Sequence, residues 1–475
     1  MRVLFAASEC VPFIKTGGLA DVVGELPGYL NKEGVDTIVV LPKYSAIAKK
    51  YTDLMQFEKY YFVRMGDVDQ YVGVFRLVLN NTNFYFLDNE SFFKRDGIYG
   101  YDDDPQRFAY FALAVAGFVR EMNLDLDVIH AHDWHTGMVP VVIKEKYWDD
   151  PRFNKIKFVV TIHNPLYQGL CDKYYLTDLF GIPMHKYYDG SNRFKNCLSY
   201  LKSGLVYADK ITTVSPTHSQ ELLTPEFGCG LESILQYRRG IVTGILNGID
   251  YDTYNPATDK LIHKTYSKYG SRKAANKKYI QNYFGLEEDP KKPVLGLVSR
   301  FAWQKGMDII IDSMEQLVHE GYQMVFLGNG EPGYENAVIE LRNKYPQSIG
   351  VYIGYSNEMA HKIYAGSDMY LMPSHLEPCG ISQMIAMRYG SIPVVRQVGG
   401  LKDSVMAYNE YTKEGTGFGF RNSSRDEFVN ILHYAKSFYE QPKVWKNIVD
   451  QALRADYSWS ASSKMYKEMY EELCK

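Results

Sequence analysis

Twice along this chain, short apolar runs alternate with stretches whose apolar residues recur at helical spacing. That alternation restricts the fold more than any other feature. The first series of runs is residues 2–8, 37–41, 127–130, 158–162 and 211–214. Between them lie helical patterns: Leu19, Val22, Val23, Leu26 and Leu30; residues 105–122; and Val139, Val142 and Ile143. The second series is 293–298, 324–327, 351–353, 368–372 and 393–395, with a helix expected over 307–318. Runs apolar on both faces, joined by helices, predict parallel sheets covered on both sides. The fold class is therefore α/β, doubly wound. Residues 42–100 are less regular and are read as irregular.

The chain has 475 residues, too many for one ordinary core. Two domains are expected, 1–246 and 291–455. Residues 247–290, rich in Lys, Tyr and Asn and weakly periodic, read as the passage between them. Residues 456–475 are expected to form a helix that packs back on the first domain. A formal net charge of −3 gives no basic footprint for nucleic acid and no polybasic membrane anchor. The longest apolar run, 108–119, is closed by Arg107 and Arg120 and falls short of the roughly 20 residues of a spanning helix. Six scattered cysteines form no C-x-x-C pair, which argues against a zinc site and for a reducing compartment. Met1-Arg2 runs straight into a strand, so the expectation is a soluble cytoplasmic protein.

Chemistry-bearing residues cluster after the strands. Lys15-Thr16-Gly17-Gly18-Leu19 sits where the first strand hands over to a helix. Free N–H groups, a positive dipole end and a lysine suit a phosphate or sugar phosphate. The turn alone fits a plain βα connection with a solvated lysine equally well. Gly17-Gly18-Leu19-x-Asp21-x-Val23 is echoed by Gly399-Gly400-Leu401-x-Asp403-x-Val405, again between a strand and a helix. Arg300 and Lys305 follow the first strand of the second series and suit a diphosphate.

Ser374 and Glu377 follow another strand. Glu377 reads as a hydroxyl acceptor or a stabiliser of a developing cation, or else as a helix-start acid. Backbone near Gly380 and Ser382 suits a further phosphate. His130, His132, Asp133, Trp134 and His135 lack known metal-ligand spacing, and Trp134 between polar neighbours suits a sugar ring. His163 precedes Asn164-Pro165, where the chain must turn. Asp102-Asp103-Asp104 matches a D-x-D metal pattern, but Pro105 follows it and helix capping is the better reading. The 40 tyrosines include the doublets Tyr60-Tyr61, Tyr174-Tyr175 and Tyr187-Tyr188, read as core filling or as platforms for sugar rings.

In this order, Lys15-Thr-Gly-Gly-Leu-Ala-Asp21-Val, His130-Ala-His-Asp-Trp-His135, Thr161-Ile-His163-Asn, Asn247-Gly-Ile-Asp250, Arg300 with Lys305, Glu377-Pro-Cys379-Gly380 and Gly399-Gly-Leu resemble the bacterial glycogen synthases and plant starch synthases over nearly the whole chain. The resemblance implies the GT-B fold, two Rossmann-like domains facing across a cleft. It implies transfer of glucose from ADP-glucose to the non-reducing end of an α-1,4-glucan such as glycogen or a maltooligosaccharide, with retention of configuration. With the diphosphate neutralised by Lys15, Arg300 and Lys305, no metal is needed and no cofactor is expected.

Carried over by position, Lys15, Gly17, Gly18 and Asp21 would contact the donor. Arg300 and Lys305 would stabilise the departing diphosphate. Glu377 would support the transferred glucose, with Ser374, Cys379, Gly380 and Ser382 around it. His163 would lie near that sugar, Asp133, Trp134 and His135 would line the sugar and acceptor region, and Asn247 would lie near the hinge. Ile385 stands where many retaining transferases of this fold carry a second Glu, a feature this family often lacks. His375 and Leu376 replace an expected Arg and Phe. The alternatives are a relative using UDP-glucose or making a small product, and a non-catalytic glucan-binding regulator.

Overall fold

The computed structural model describes residues 1–475. Its strands are β1 (Arg2–Ala6), β2 (Asp36–Pro42), β3 (Gln56–Met65), β4 (Val68–Leu79), β5 (Thr82–Asp88), β6 (Val128–His132), β7 (Lys157–Ile162), β8 (Leu170–Cys171), β9 (Arg193–Phe194), β10 (Cys197–Ser199), β11 (Lys210–Thr213), β12 (Val242–Gly244), β13 (Val294–Val298), β14 (Gln323–Gly328), β15 (Ile349–Ile353), β16 (Met369–Met372), β17 (Ile392–Arg396) and β18 (Phe418–Phe420). The chain divides into two units, Met1–Ile245 with Trp459–Lys475, and Leu246–Ser458.

The first unit holds a sheet in the order β12-β11-β7-β6-β1-β2-β5-β4-β3. From β12 to β5 every pairing is parallel, while β3 and β4 add on antiparallel. From β1 the chain winds first to one side (β2, β5) and later to the other (β6, β7, β11). The strand order therefore reverses at β1 and β6, and a ligand crevice belongs at their carboxyl ends. The second unit repeats the plan with the all-parallel order β15-β14-β13-β16-β17-β18, its reversal lying between β13 and β16.

Residues 42–100 are a correction to the sequence reading, because they carry three paired strands, β3, β4 and β5. On β3, Tyr61, Val63 and Met65 are buried while Tyr60 and Phe62 face out. Both faces carry rings, so no polar alternation marks the strand. The tyrosine doublets split similarly: Tyr60, Tyr174 and Tyr188 are exposed, and Tyr61 and Tyr187 are core.

The core of the first unit is the helix Asp104–Glu121, buried throughout from Arg107 to Val119. Each large aliphatic side chain so buried contributes roughly 1.5–3 kcal/mol relative to exposure. Arg107 is fully buried; its Nε and Nη1 are bonded, while its Nη2 has no partner. It pairs with Asp104 at 2.5 Å and donates to the carbonyls of Phe92 (2.7 Å) and Ile98 (3.1 Å). The reading of the Asp triplet as cap and first-turn acids holds for Asp104 in the first turn and needs correction for the cap. Asp103 makes no side-chain cap, and Asp104 serves Arg107 and the amides of Gly100 and Tyr101. The last helix, Trp459–Leu473, seats Lys467 on the Glu33 carbonyl at the end of helix Gly18–Lys32 (2.7 Å), where a cation meets the negative dipole end.

In the second unit, residues 247–290 include the helix Ser271–Phe284. It buries lysines instead of an apolar stripe. Lys273 donates to the carbonyls of Ala365 and Ser367 (2.9 and 3.0 Å), and Lys277 pairs with Asp368 at 2.8 Å. That use of lysine is why its sequence shows little periodicity.

Candidate active site

In the first unit, β1 runs out into Ser8 and Glu9, both buried. Glu9 Oε2 accepts from the Thr16 amide (2.5 Å), the Thr16 hydroxyl (3.0 Å) and the Gly17 amide (3.2 Å). Burial pushes the Glu9 carboxyl up, these donors pull it down, and Asp21 adds a smaller upward push. Sequence reading missed this carboxylate, which occupies two amides of the proposed phosphate turn. Lys15 is half-exposed and grips Asp21 at 2.6 and 2.8 Å. Gly18 opens the helix. Its amide and that of Leu19 belong to the first turn, whose N–H groups have no partner within a helix.

Asp133 follows β6 at φ +56°, a left-handed conformation that Asp tolerates better than most residues. Its Oδ1 accepts from the amides of His163 (2.7 Å) and Asn164 (3.4 Å). Burial pushes its carboxyl up to about 7 against the pull of those two amides. Burial pulls the His163 imidazole down to about 3, so the ring is neutral near pH 7. His135 packs inward, stacked on Tyr99 (4.5 Å) and against Phe108 (4.7 Å). It supports the neighbouring Trp134 ring (4.2 Å) from behind. Trp134 borders a cavity of about 420 Å³ with Tyr167, Gln168 and Phe194. Tyr99, which sequence reading also missed, ties β1 to this cluster through a 2.6 Å bond to the Ser8 hydroxyl.

In the second unit, Arg300 is exposed just past β13 and forms no ion pair. Lys305 ends the short 3-10 turn Trp303–Lys305. Gly306 follows at φ +72°, where a Cβ would lie 2.2 Å from the Pro373 carbonyl, so only glycine lets the two strand-end loops meet. Lys305 Nζ then reaches Glu377 Oε2 at 2.6 Å, and the Ser374 hydroxyl donates to the same oxygen at 3.1 Å. The main chain of this loop rests on the second glycine pair, with the Gly400 amide donating to the carbonyls of Glu377 and Pro378 (both 3.2 Å).

The Asn247 amide approaches the Cys379 thiol, which burial pushes up to about 12. Asn247 Oδ1 is buried without a partner. Gly380 turns at φ +72°, and Ser382 opens the short helix Ser382–Arg388. His375 is accommodated by partners the sequence did not point to. Its Nε2 lies 2.9 Å from Asp308, its Nδ1 2.5 Å from the Ser423 hydroxyl, and its ring stacks on Trp303 at 4.2 Å.

Each unit thus gathers its own share of the predicted residues at the carboxyl ends of its central strands. The first unit has Lys15, Gly17, Gly18 and Asp21 after β1, Asp133, Trp134 and His135 after β6, and His163 after β7. The second has Arg300 and Lys305 after β13 and Ser374, Glu377, Cys379, Gly380 and Ser382 after β16, with Asn247 against Cys379. No group of three or more His, Cys, Asp or Glu side chains is arranged to hold a metal ion.

Two doubly wound units with cations and a carboxylate at their strand ends define a glycosyltransferase of the GT-B class, and the solved structures agree. The catalytic domain of Starch Synthase IV from Arabidopsis thaliana, bound to ADP and acarbose, superposes with a TM-score of 0.91 at 30% identity, covering 100% of this chain and 99% of that one. Sucrose-phosphate synthase from Thermosynechococcus elongatus shares the fold at a TM-score of 0.63 and 15% identity, over 99% of this chain and 98% of that one.

The family described as "Starch synthase catalytic domain" matches residues 2–237, and "Glycosyl transferases group 1" matches 281–451. The glycogen synthase of Clostridium kluyveri is 46% identical over 474 residues, 100% of both chains. That of Geobacillus stearothermophilus is 44% identical over 476 residues, 100% of this chain and 98% of the relative. The chain belongs to the glycogen synthase and starch synthase family, and it is a glycosyltransferase.

Proposed function

We propose that this enzyme takes ADP-glucose as donor and extends the non-reducing end of an α-1,4-glucan with retention of configuration. The observation that carries the reading is the Lys305–Glu377–Ser374 cluster at the β13/β16 reversal. Added support comes from full-length likeness to glycogen synthases and from a structural neighbour that itself holds ADP.

The leaving group is a nucleoside diphosphate, so preorganised positive charge is the main lever on its departure. Lys305 and Arg300 meet that charge, and Lys15 with the first-turn amides of Gly18 and Leu19 offers donors suited to the same kind of anion. Glu377 faces the glucosyl ring as positive charge develops at C1. The bond from C1 to the diphosphate oxygen breaks on the face where the acceptor 4-hydroxyl attacks. The acceptor's proton passes to the departing phosphate oxygen, so no side chain forms a glycosyl bond. His163 and Asp133 hold the transferred sugar, and Trp134 stacks on the acceptor.

Incubation with labelled ADP-glucose, labelled UDP-glucose and a glycogen primer tests this. The expected result is label in polymer from ADP-glucose at a rate well above that from UDP-glucose. Preference for UDP-glucose, or label in a small product only, overturns the donor or acceptor assignment.

A further inference from the structure

His132 takes no direct part in that chemistry, yet it touches a residue that does. Its ring closes β6 and is fully buried, stacked on Phe5 (5.6 Å between centroids) and on His130 (4.3 Å). His132 Nδ1 lies 2.9 Å from His163 Nε2, and His132 Nε2 is buried with no hydrogen-bond partner. His130 is fully engaged elsewhere, with Tyr470 at Nδ1 (2.7 Å) and Thr161 at Nε2 (2.5 Å).

Two imidazoles at this distance share one proton, so one donates and the other accepts. Burial keeps both rings neutral, so each carries a single N–H. Only two arrangements satisfy the contact. If His163 donates from Nε2, the His132 proton sits on its Nε2, a buried N–H facing no acceptor. If His132 donates from Nδ1, its Nε2 is a bare lone pair and His163 carries its proton on Nδ1. Orphaned buried N–H groups are rarer in proteins than under-satisfied acceptors, which selects the second arrangement.

We propose that His132 is a positioning residue that locks His163 in the Nδ1–H tautomer, so that His163 offers the transferred sugar a hydrogen-bond donor and no base. The part concerning the sugar rests on the function proposed above, whereas the tautomer does not. A ring so fixed can donate to a hydroxyl oxygen and cannot remove the acceptor's proton. That agrees with the proton leaving on the phosphate.

The test is a long-range proton–nitrogen correlation spectrum of the full chain with nitrogen-15-labelled histidine, at pH 7.5 and without substrate. The His163 signals are assigned by their loss in His163→Asn. The expected result is a protonated Nδ1 and a bare Nε2. His132→Phe keeps a flat ring against Phe5 and His130 but removes the nitrogen. His163 should then revert to the Nε2–H form that free imidazole side chains prefer. The kcat should fall about tenfold while the donor KM stays within about threefold.

His132→Asn, whose amide can donate from near the place of Nδ1, should recover both tautomer and rate. It also serves if the Phe variant does not fold. An Nε2–H signal for His163 in the unaltered protein, or a rate loss in His132→Phe with the tautomer unchanged, overturns the proposal. Failure to transfer glucose from ADP-glucose would sink the function, while the tautomer would still stand or fall on the nitrogen spectrum alone.

Discussion

At Gly17 the helix after β1 begins in open space. A Cβ there would meet only Glu9 Oε1, 3.9 Å away. At Gly399, in the same Gly-Gly-Leu-x-Asp-x-Val sequence, the backbone turns to φ +45° and a Cβ would lie 2.1 Å from the Glu377 carbonyl. The bonded amides differ in position and in partner: Gly17, the first of its pair, gives its N–H to the Glu9 carboxylate, whereas Gly400, the second of its pair, gives its N–H to main-chain carbonyls of the Glu377 loop. The first turn therefore leaves its glycines uncovered by main chain, with Glu9 on two of its amides and Lys15 paired with Asp21. The second is a seat: it holds the backbone of an acidic residue and leaves the carboxylate to Lys305. One local sequence serves two purposes because the partner that lands on the glycines differs.

Opposite kinetic signatures should follow. Gly399→Ala forces the Glu377 carbonyl aside. Its kcat should drop about 10²-fold, the scale seen when a preorganised electrostatic group is misplaced. Overpacking of about 1–3 kcal/mol should also lower the Tm by several degrees. Steady-state kinetics and a melt decide this, and an unchanged kcat would mean that the seat does not position Glu377.

Gly17→Ala should leave the Tm within about a degree, since φ −147° is ordinary for alanine. It should raise the donor KM about tenfold by blocking close approach to the turn. A fall in kcat at constant KM would erase the distinction between the two turns.

The smallest effect belongs to Glu9. Its carboxyl is held above the unfolded value, so the folded state favours the proton there. That contribution to stability is full in acid and is lost as pH rises through the raised value. Glu9→Gln removes the ionisation, so the Tm of the variant minus that of the parent should rise by about one to a few degrees between pH 4.5 and 7.5. A difference flat in pH would show that Glu9 carries no burial penalty at this turn.

The parallel strands were legible because burial on both faces writes continuous apolar runs, as in β2, β7 and β13. β3 and β4 were not, since outward rings such as Tyr60 and Phe62 remove the contrast between faces. Lys15, Arg300, Lys305 and Glu377 could be singled out because their charge stands beside a strand end. Glu9, Tyr99, His132 and Asp308 could not be given partners, because each meets a group that only folding brings near. Ser8 and Tyr99 are 91 residues apart, and His132 and His163 are 31 apart. The echo at Gly399 shows the limit most sharply. Local sequence predicts a turn, and long-range packing decides what the turn carries.

The central claim is that Glu377, steadied by Lys305 and Ser374, supports the departing glucosyl group. The most direct measurement is turnover of ADP-glucose on a glycogen primer by Glu377→Ala, with a melting curve taken beside it. A loss of about 10³-fold or more in kcat with the fold retained is the predicted result, and turnover close to that of the unaltered enzyme would contradict it.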